Sequence, residues 1–279
     1  MTGLELKRPS TRALIWAALA LALVLYGFPF LYMVSTSLKE PIEAISVPPR
    51  LLPSSWTGSN YVNALTREGV VPSLINSLMT AALSTFLSLA LAVPAAYAVT
   101  RYRTRTGRVF IFVALLTRMV PAIVVGAPLV SMFRSLGIAD TTFALAIAHT
   151  TVALPLSVWL LVSFFEAVPD ELEEAAVIDG CGRLAALWKV VVPVTAGGIA
   201  VTGIFAFLAS WNEFLFALLL TATRSVTTPI LIANMQTQYG LDWGPMTALA
   251  VIYSLPVILL TLAFQRHIVA GLTLGAVKG

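Results

Sequence analysis

No residue from Ala13 to Val34 carries a charge. A helix over those positions rises 1.5 Å per residue to roughly 33 Å, enough to cross the hydrocarbon core of a bilayer. The same criterion marks spans at Leu74–Val99, Val109–Met132, Thr141–Phe165, Val194–Thr223 and Gly244–Gln265, which makes six. Composition excludes a soluble domain. Of 279 residues, 58% are hydrophobic and 11% charged, against roughly 25% charged in soluble proteins, so too few charges exist to clothe a core this apolar. The expected fold is all-α, a polytopic membrane protein with six transmembrane helices.

The position of the basic residues sets the expected direction of the chain. Alternate loops on the side of the N-terminus hold eleven: Lys7, Arg8, Arg12, Arg101, Arg103, Arg105, Arg108, Arg183, Lys189, Arg266 and Lys278. The other side holds five, Lys39, Arg50, Arg67, Arg134 and Arg224. The positive-inside rule therefore places both termini in the cytoplasm. The net charge of +4 is a membrane address on this reading, and the Arg101–Arg108 cluster is a topology determinant rather than a nucleic-acid patch. The basic stretch before Ala13 imitates a signal peptide. The apolar run is longer than a signal h-region and lacks a small-residue cleavage site, so an uncleaved anchor is expected.

Prolines 94, 121, 128, 155 and 256 lie inside spans, where neighbouring helices can satisfy the freed carbonyls. Residues 1–12 form a cytoplasmic N-terminus and 13–279 one transmembrane domain. The elaborated loops are an external segment from Ser35 to Ser73, a cytoplasmic loop over 166–193 and an external loop over 221–243.

Several kinds of chemistry are missing. ATP hydrolysis needs a glycine-rich loop ending in Gly-Lys-Ser/Thr, whose backbone N–H groups and lysine hold the phosphates. The four lysines, Lys7, Lys39, Lys189 and Lys278, follow Leu, Leu, Trp and Val. Metal ligation is not expected, because His149, His267 and Cys181 are scattered without helical pairing. His149 reads as a hydrogen-bonded bundle residue. Lone Cys181 excludes an internal disulfide. An ion-coupled secondary carrier, the alternative from another class, usually keeps several intramembrane acids. Only Arg118 and Glu213 lie well inside spans here, and as a pair they would neutralise each other.

The cytoplasmic loop carries an unusual acidic stretch, Asp170-Glu-Leu-Glu-Glu-Ala-Ala-Val-Ile-Asp-Gly180. Asp170 and Glu173 form an N-terminal capping pattern, and acids in the first turn suit the helix dipole. Gly180 is placed to stop the helix in a left-handed conformation. Leu172, Ala175 and Ala176 share a face, rimmed by carboxylates. A second amphipathic turn is expected at Leu184, Leu187, Trp188 and Val191, before Pro193 opens span five. Interfacial helices carry Lys and Arg on the polar face, whereas this one carries Glu171, Glu173, Glu174 and Asp179. A protein partner with a basic groove suits it better than anionic lipid.

Glu174-Ala175-Ala176, three residues, Gly180, nine residues, then Val190-Val191-Val192-Pro193 resembles the EAA loop of ABC importer permeases. Val190 and Val192 replace Ile and Leu of the family pattern and remain aliphatic. Ala96-Tyr97-Ala98, Met119-Val120-Pro121, Leu136-Gly-Ile-Ala-Asp140-Thr141 and Ser210-Trp-Asn-Glu-Phe214 are similar to the smaller permease subunit of the maltose-type carbohydrate importers, and within them to the permeases of trehalose importers. That resemblance implies a non-catalytic subunit in a bacterial inner membrane. Its partners would be a second permease, two ATPase subunits that hold the ATP and Mg, and an external solute-binding protein, with trehalose as cargo. It also implies that Glu174, Ala175, Ala176, Ile178, Asp179, Gly180 and Pro193 couple the chain to an ATPase subunit.

Two further sets follow from residue type. In the external loop, polar residues flank an apolar centre, Pro229–Ala233, which suggests a segment folded against the bundle. In the family that loop reaches the binding protein, which makes Asn234, Gln236, Gln238 and Tyr239 contact candidates beside a purely structural reading. Trp211, Asn212, Glu213 and Arg118 are candidates for a sugar path. The competing reading is a Glu213–Arg118 ion pair beside a packed tryptophan.

Overall fold

The computed structural model describes the backbone of residues 9–237 and 240–276 and the side chains of 13–107, 109–235 and 241–265. Its helices are α1 Pro9–Ser37, α2 Pro41–Ala44, α3 Ser59–Thr66, α4 Val70–Tyr102, α5 Arg105–Thr117, α6 Ala122–Ser135, α7 Thr142–Glu166, α8 Asp170–Ile178 and α9 Arg183–Ala186. A π-turn over Leu187–Val191 leads to α10 Val192–Val194, α11 Ala196–Trp211, α12 Leu215–Leu220, α13 Thr228–Ala233 and α14 Trp243–Ala276. A two-stranded antiparallel ladder pairs Gln236 with Leu241 and Thr237 with Gly240, a small β element in a chain expected to be all-α.

Among the described residues four helices cross-match the expected spans without a break: Ala13–Ser37, Val70–Tyr102, Thr142–Glu166 and Trp243–Gln265. The other two spans are bent pairs. Helices α5 and α6 meet at 93°, and the segment Arg183–Val194 meets α11 at 82°. At the first bend Pro121 precedes α6 with extended ψ, as a residue lacking an N–H and disfavouring helix before it should. At the second, Thr195 takes a non-helical conformation after the Pro193 turn. Pro193 therefore lies before the bend, and span five proper begins at Ala196.

Contacts divide the chain into two units. One holds the residues up to Val70 with Ile232–Ser254. In it, α1 leaves its apolar side chains outward, Leu23 and Tyr26 among them, as a lipid-facing helix does. The segment after α1 is tightly folded. Lys39 is buried, donates to the Arg50 carbonyl and lies 4.7 Å over the Tyr32 ring, so a charge expected in solvent is held by a cation–π contact. Asn60 Nδ2 donates to the carbonyls of Ser37 and Lys39 at 3.0 and 2.7 Å. The Glu43 carboxylate accepts from Ser54 N and Oγ at 2.9 Å.

The other unit, Val71–Leu231 with the residues from Leu255 on, carries the bundle. One apolar cluster joins Ala92, Ala96 and Tyr97 of α4, Val158, Leu161 and Phe165 of α7, and Leu187 and Val191 of the π-turn. The π register explains a departure from the expected amphipathic turn. Leu187 and Val191 point into the core while Leu184 and Trp188 are exposed. A second cluster joins Phe133, Leu145, Phe216 and Ile230, which buries the apolar centre of the 221–243 loop as its composition suggests.

Helix α11 packs closely on α7 because of Gly198, where a Cβ would sit 2.4 Å from Phe164 Cγ. Gly198→Ala should therefore destabilise the protein by about 1–3 kcal/mol through overpacking. Melting in detergent should show the loss, with Gly182→Ala, which meets open space, close to the parental value.

Candidate functional site

Helix α8 is built by its two ends. Its N-cap is Pro169, which offers no side-chain cap, and its first turn holds Asp170, Glu171 and Glu173. The structure corrects the expected capping pattern, because Asp170 and Glu173 turn away from the helix start toward α4. Arg101 Nη1 donates to Asp170 Oδ1 at 2.8 Å and its Nε donates to Glu173 Oε1. Arg103, with a positive φ of 46°, donates from Nη2 to Asp170 Oδ2 at 2.7 Å. The Tyr97 hydroxyl donates to Glu173 Oε2 at 2.9 Å and lies 3.1 Å from the Arg183 carbonyl. The Arg183 guanidinium stacks 5.3 Å over the Tyr102 ring. Two members of the basic cluster, Arg101 and Arg103, thus anchor this helix.

The C-terminal end follows the sequence. Gly180 has φ +86°, its N–H donates to the Val177 carbonyl at 3.0 Å and the Cys181 N–H donates to Ala176 at 2.9 Å, the paired bonds of a Schellman stop. Between these ends α8 buries one residue, Glu173, and leaves the rest of its surface open. Ile178 is 85% exposed, and Leu172, Val177, Glu171, Glu174, Ala175 and Asp179 are exposed with it, while Ala176 is half-buried. A cavity of about 480 Å³ borders this face, lined by Glu174, Val177 and Ile178 and by the Tyr97–Arg101–Arg183 anchor. Among the described residues, Glu171, Glu174 and Asp179 form no ion pair, so this face combines exposed apolar side chains with exposed carboxylates. Pro193 is exposed on the short helix that follows.

The sugar-path candidates sit at a helix break rather than mid-helix. Helix α11 ends at Trp211, and the Glu213 carboxylate accepts the N–H groups of Leu215, Phe216 and Ala217 at 2.9–3.3 Å, starting α12. Glu213 does not pair with Arg118, which is exposed at the end of α5. Its neighbour is His149, whose Nε2 approaches Glu213 Oε2 at 3.3 Å without hydrogen-bond alignment. The other ring nitrogen of His149 bonds Ser210 Oγ at 2.8 Å, in keeping with a bundle histidine. Trp211 is buried and stacked on Phe207 with ring centroids 5.3 Å apart, whereas Asn212 is exposed.

At the other end of α4 the sequence missed a cluster. Asp140, in the turn before α7, has φ +53° and receives donors from four successive residues, Ala222 to Ser225. Burial works against its charge, but the backbone N–H groups of Ala222, Arg224, Thr223 and Ser225 outweigh it and hold the carboxyl well below the usual range. The only local signal was an acid in a Gly-x-x-Asp-Thr turn. Of the binding-protein candidates, Asn234 is exposed and Gln236 lies in the first strand of the ladder, while Gln238 and Tyr239 lie outside the described residues.

Arg101 and Glu173 side chains are 10% and 12% exposed, so Arg101→Gln should cost about 3–5 kcal/mol by leaving a buried carboxylate unpaired. In thermal unfolding, the Arg101→Gln/Glu173→Gln double variant should lose less than the sum of the two singles. Additive losses would contradict the pairing.

Residues 84–273 match the family described as binding-protein-dependent transport system inner membrane component. The trehalose transport system permease protein SugB of Mycobacterium tuberculosis is 39% identical to this chain over 96% of its length and 98% of the relative's. The sulfoquinovosyl glycerol transport system permease protein SmoH of Agrobacterium fabrum is 36% identical over 97% of this chain and 95% of the relative. A crystal structure of a bacterial ABC transporter that imports the acidic polysaccharide alginate superposes with a TM-score of 0.77 at 24% identity, covering 93% of this chain and 98% of that one, a likeness of fold. A family match over more than half the chain and alignments that run nearly end to end agree with the bent, six-span bundle, and this chain belongs to the binding-protein-dependent transport system inner membrane components.

Proposed function

We propose that this chain is the smaller permease subunit of an ATP-driven importer for a carbohydrate, with trehalose as the cargo. It performs no bond chemistry; family members are permease subunits that leave ATP hydrolysis to their partners. Those partners are a second permease, two ATPase subunits that hold ATP and Mg, and an external solute-binding protein, all assembled in lipid. A relative at 39% identity named for trehalose supports the cargo, and a relative at 36% named for a sulfosugar glycoside supports the wider carbohydrate class.

The observation that carries the reading is the exposed face of α8, with Leu172, Val177 and Ile178 open beside Glu171, Glu174 and Asp179. An acidic helix of this kind is repelled by anionic headgroups and attracted by a basic cleft. Glu174, Ala175, Ala176, Ile178, Asp179 and Gly180, with Pro193 beyond them, form the coupling surface toward one ATPase subunit. Both termini and α8 face the cytoplasm, and the 221–243 loop faces outward, where Asn234, Gln236, Gln238 and Tyr239 meet the binding protein. Among Trp211, Asn212, Glu213 and Arg118, exposed Asn212 is best placed to meet a sugar hydroxyl.

The deciding experiment is ATPase activity of the assembled complex against a disaccharide panel with the loaded binding protein. Trehalose should stimulate it; stimulation by another sugar alone would correct the cargo, and stimulation by amino acids or peptides alone would overturn the carbohydrate class. Gly180→Val places a β-branched residue at φ +86°, where Val is strained, and re-aims α8. The variant should reach the membrane normally yet lose most ATPase-subunit pull-down and transport.

Orientation has its own test. In a Cys181→Ser background, a single cysteine at exposed Ser55 should react with an impermeant thiol reagent in intact spheroplasts, and one at exposed Thr104 only after lysis. Thr104 labelling from outside would invert the topology.

A further inference from the structure

The turn from Ala222 to Ser225 has almost no hydrogen bonding of its own and is held by side chains far away in sequence. Asp140 Oδ1 accepts from Ala222 N at 3.0 Å, Ser225 N at 3.1 Å and Ser225 Oγ at 2.9 Å. Its Oδ2 accepts from Thr223 N and Arg224 N at 3.0 Å and from Thr223 Oγ1 at 3.3 Å. A carboxylate offers about four lone-pair sites, so this one is fully occupied. From α4, Asn76 Nδ2 donates to the carbonyls of Arg224 and Val226 at 3.0 and 3.1 Å. Ser77 Oγ accepts from Thr228 N at 2.9 Å and so fixes the start of α13.

None of the groups that bond this carboxylate is a cation. Its acceptor sites are filled by main-chain and hydroxyl donors; Arg224 contributes its backbone N–H, while its side chain is exposed. What Asp140 fixes is the path of the backbone. It does so from a left-handed backbone conformation, which Asp adopts more readily than most non-glycine residues. The result is a solvent-exposed turn, Ala222–Arg224, with a preset shape at the head of the loop. An exposed loop ordered this thoroughly saves the ordering cost of binding that a mobile loop incurs.

We propose that Asp140 is a positioning residue for the transport cycle: it presets the Ala222–Ser225 turn as a docking element for the loaded solute-binding protein. This role rests on the function proposed above, including the outward orientation of the loop. Asp140 touches neither sugar nor nucleotide, and acts through the backbone it holds.

The test uses the assembled complex with Asp140→Ala and Asp140→Asn. Basal ATPase activity, assembly and the maximal stimulated rate should stay near parental, while the concentration of loaded binding protein giving half-maximal stimulation should rise about tenfold in Asp140→Ala, from loss of preorganisation. Asp140→Asn keeps one acceptor oxygen and should fall between the two. Amide hydrogen exchange at residues 222–225 should speed up in the same order, a reading of the staple that does not depend on transport. Unchanged exchange in Asp140→Ala overturns the staple. Faster exchange with a parental half-maximal concentration overturns the docking role alone. A parental complex that no loaded binding protein stimulates overturns the proposed function, and the docking role with it.

Discussion

Inside hydrocarbon a peptide group has no water to bond, so every interruption of a helix must find its partners within the protein. This chain interrupts its spans at the α5–α6 bend, near Pro193 and after Trp211, and at the last two the partners are local. Near Pro193, the Thr195 N–H and Oγ1 both turn back to the Val191 carbonyl, at 2.9 and 2.6 Å. At the end of α11, Glu213 supplies the acceptors that the first turn of α12 lacks, and its carboxylate is in turn faced by His149. The acid read from the sequence as an Arg118 partner or a sugar-path residue accepts the first N–H groups of a helix. Asp140 solves the same problem at the loop, with four successive N–H groups on one carboxylate. Both acids accept successive main-chain N–H groups.

Helix α8 shows how one short element can be fixed and open together. Its first turn is tied down by Arg101, Arg103 and Tyr97, and its last is closed by a left-handed glycine, so the direction of its exposed face is set from both ends. The anchoring acids, Asp170 and Glu173, lie on the side toward α4, and Glu174, Val177 and Ile178 remain beside the cavity. A partner that binds those residues therefore pushes on a helix bolted to the bundle rather than on a loose loop.

Sequence made the spans legible because hydropathy is a sum over neighbours, and it made the stop at Gly180 legible because a positive φ favours glycine wherever it occurs. It misassigned groups whose partners are remote. Asp170 and Glu173 have the spacing of a helix cap, and nothing nearby in the chain reveals that an arginine 69 and 72 residues earlier takes them instead. Arg118 was the obvious partner for Glu213 because both are formally charged, whereas the actual neighbour is a histidine, which a charge count passes over. The break after Trp211 was hidden for a related reason, since an apolar run interrupted by one acid has the same hydropathy whether the helix continues or restarts. Bends at Pro121 and Pro193 were visible as prolines, but proline also sits within continuous α4, α7 and α14. Only tertiary packing separates the two cases.

Helix α4 connects these features. It runs without a break over 33 residues, close to 50 Å at about 1.5 Å per residue. Near its start, Asn76 and Ser77 hold the loop that Asp140 staples, and near its end, Tyr97 and Arg101 hold α8. Its last third is locked into the cluster with α7 through Ala92 and Ala96, small residues that let the helices approach. The loop tether and the α8 anchor therefore sit on one helix. Polar side chains at its two ends, Asn76 and Ser77 at one and Tyr97 and Arg101 at the other, bind surface elements to this helix.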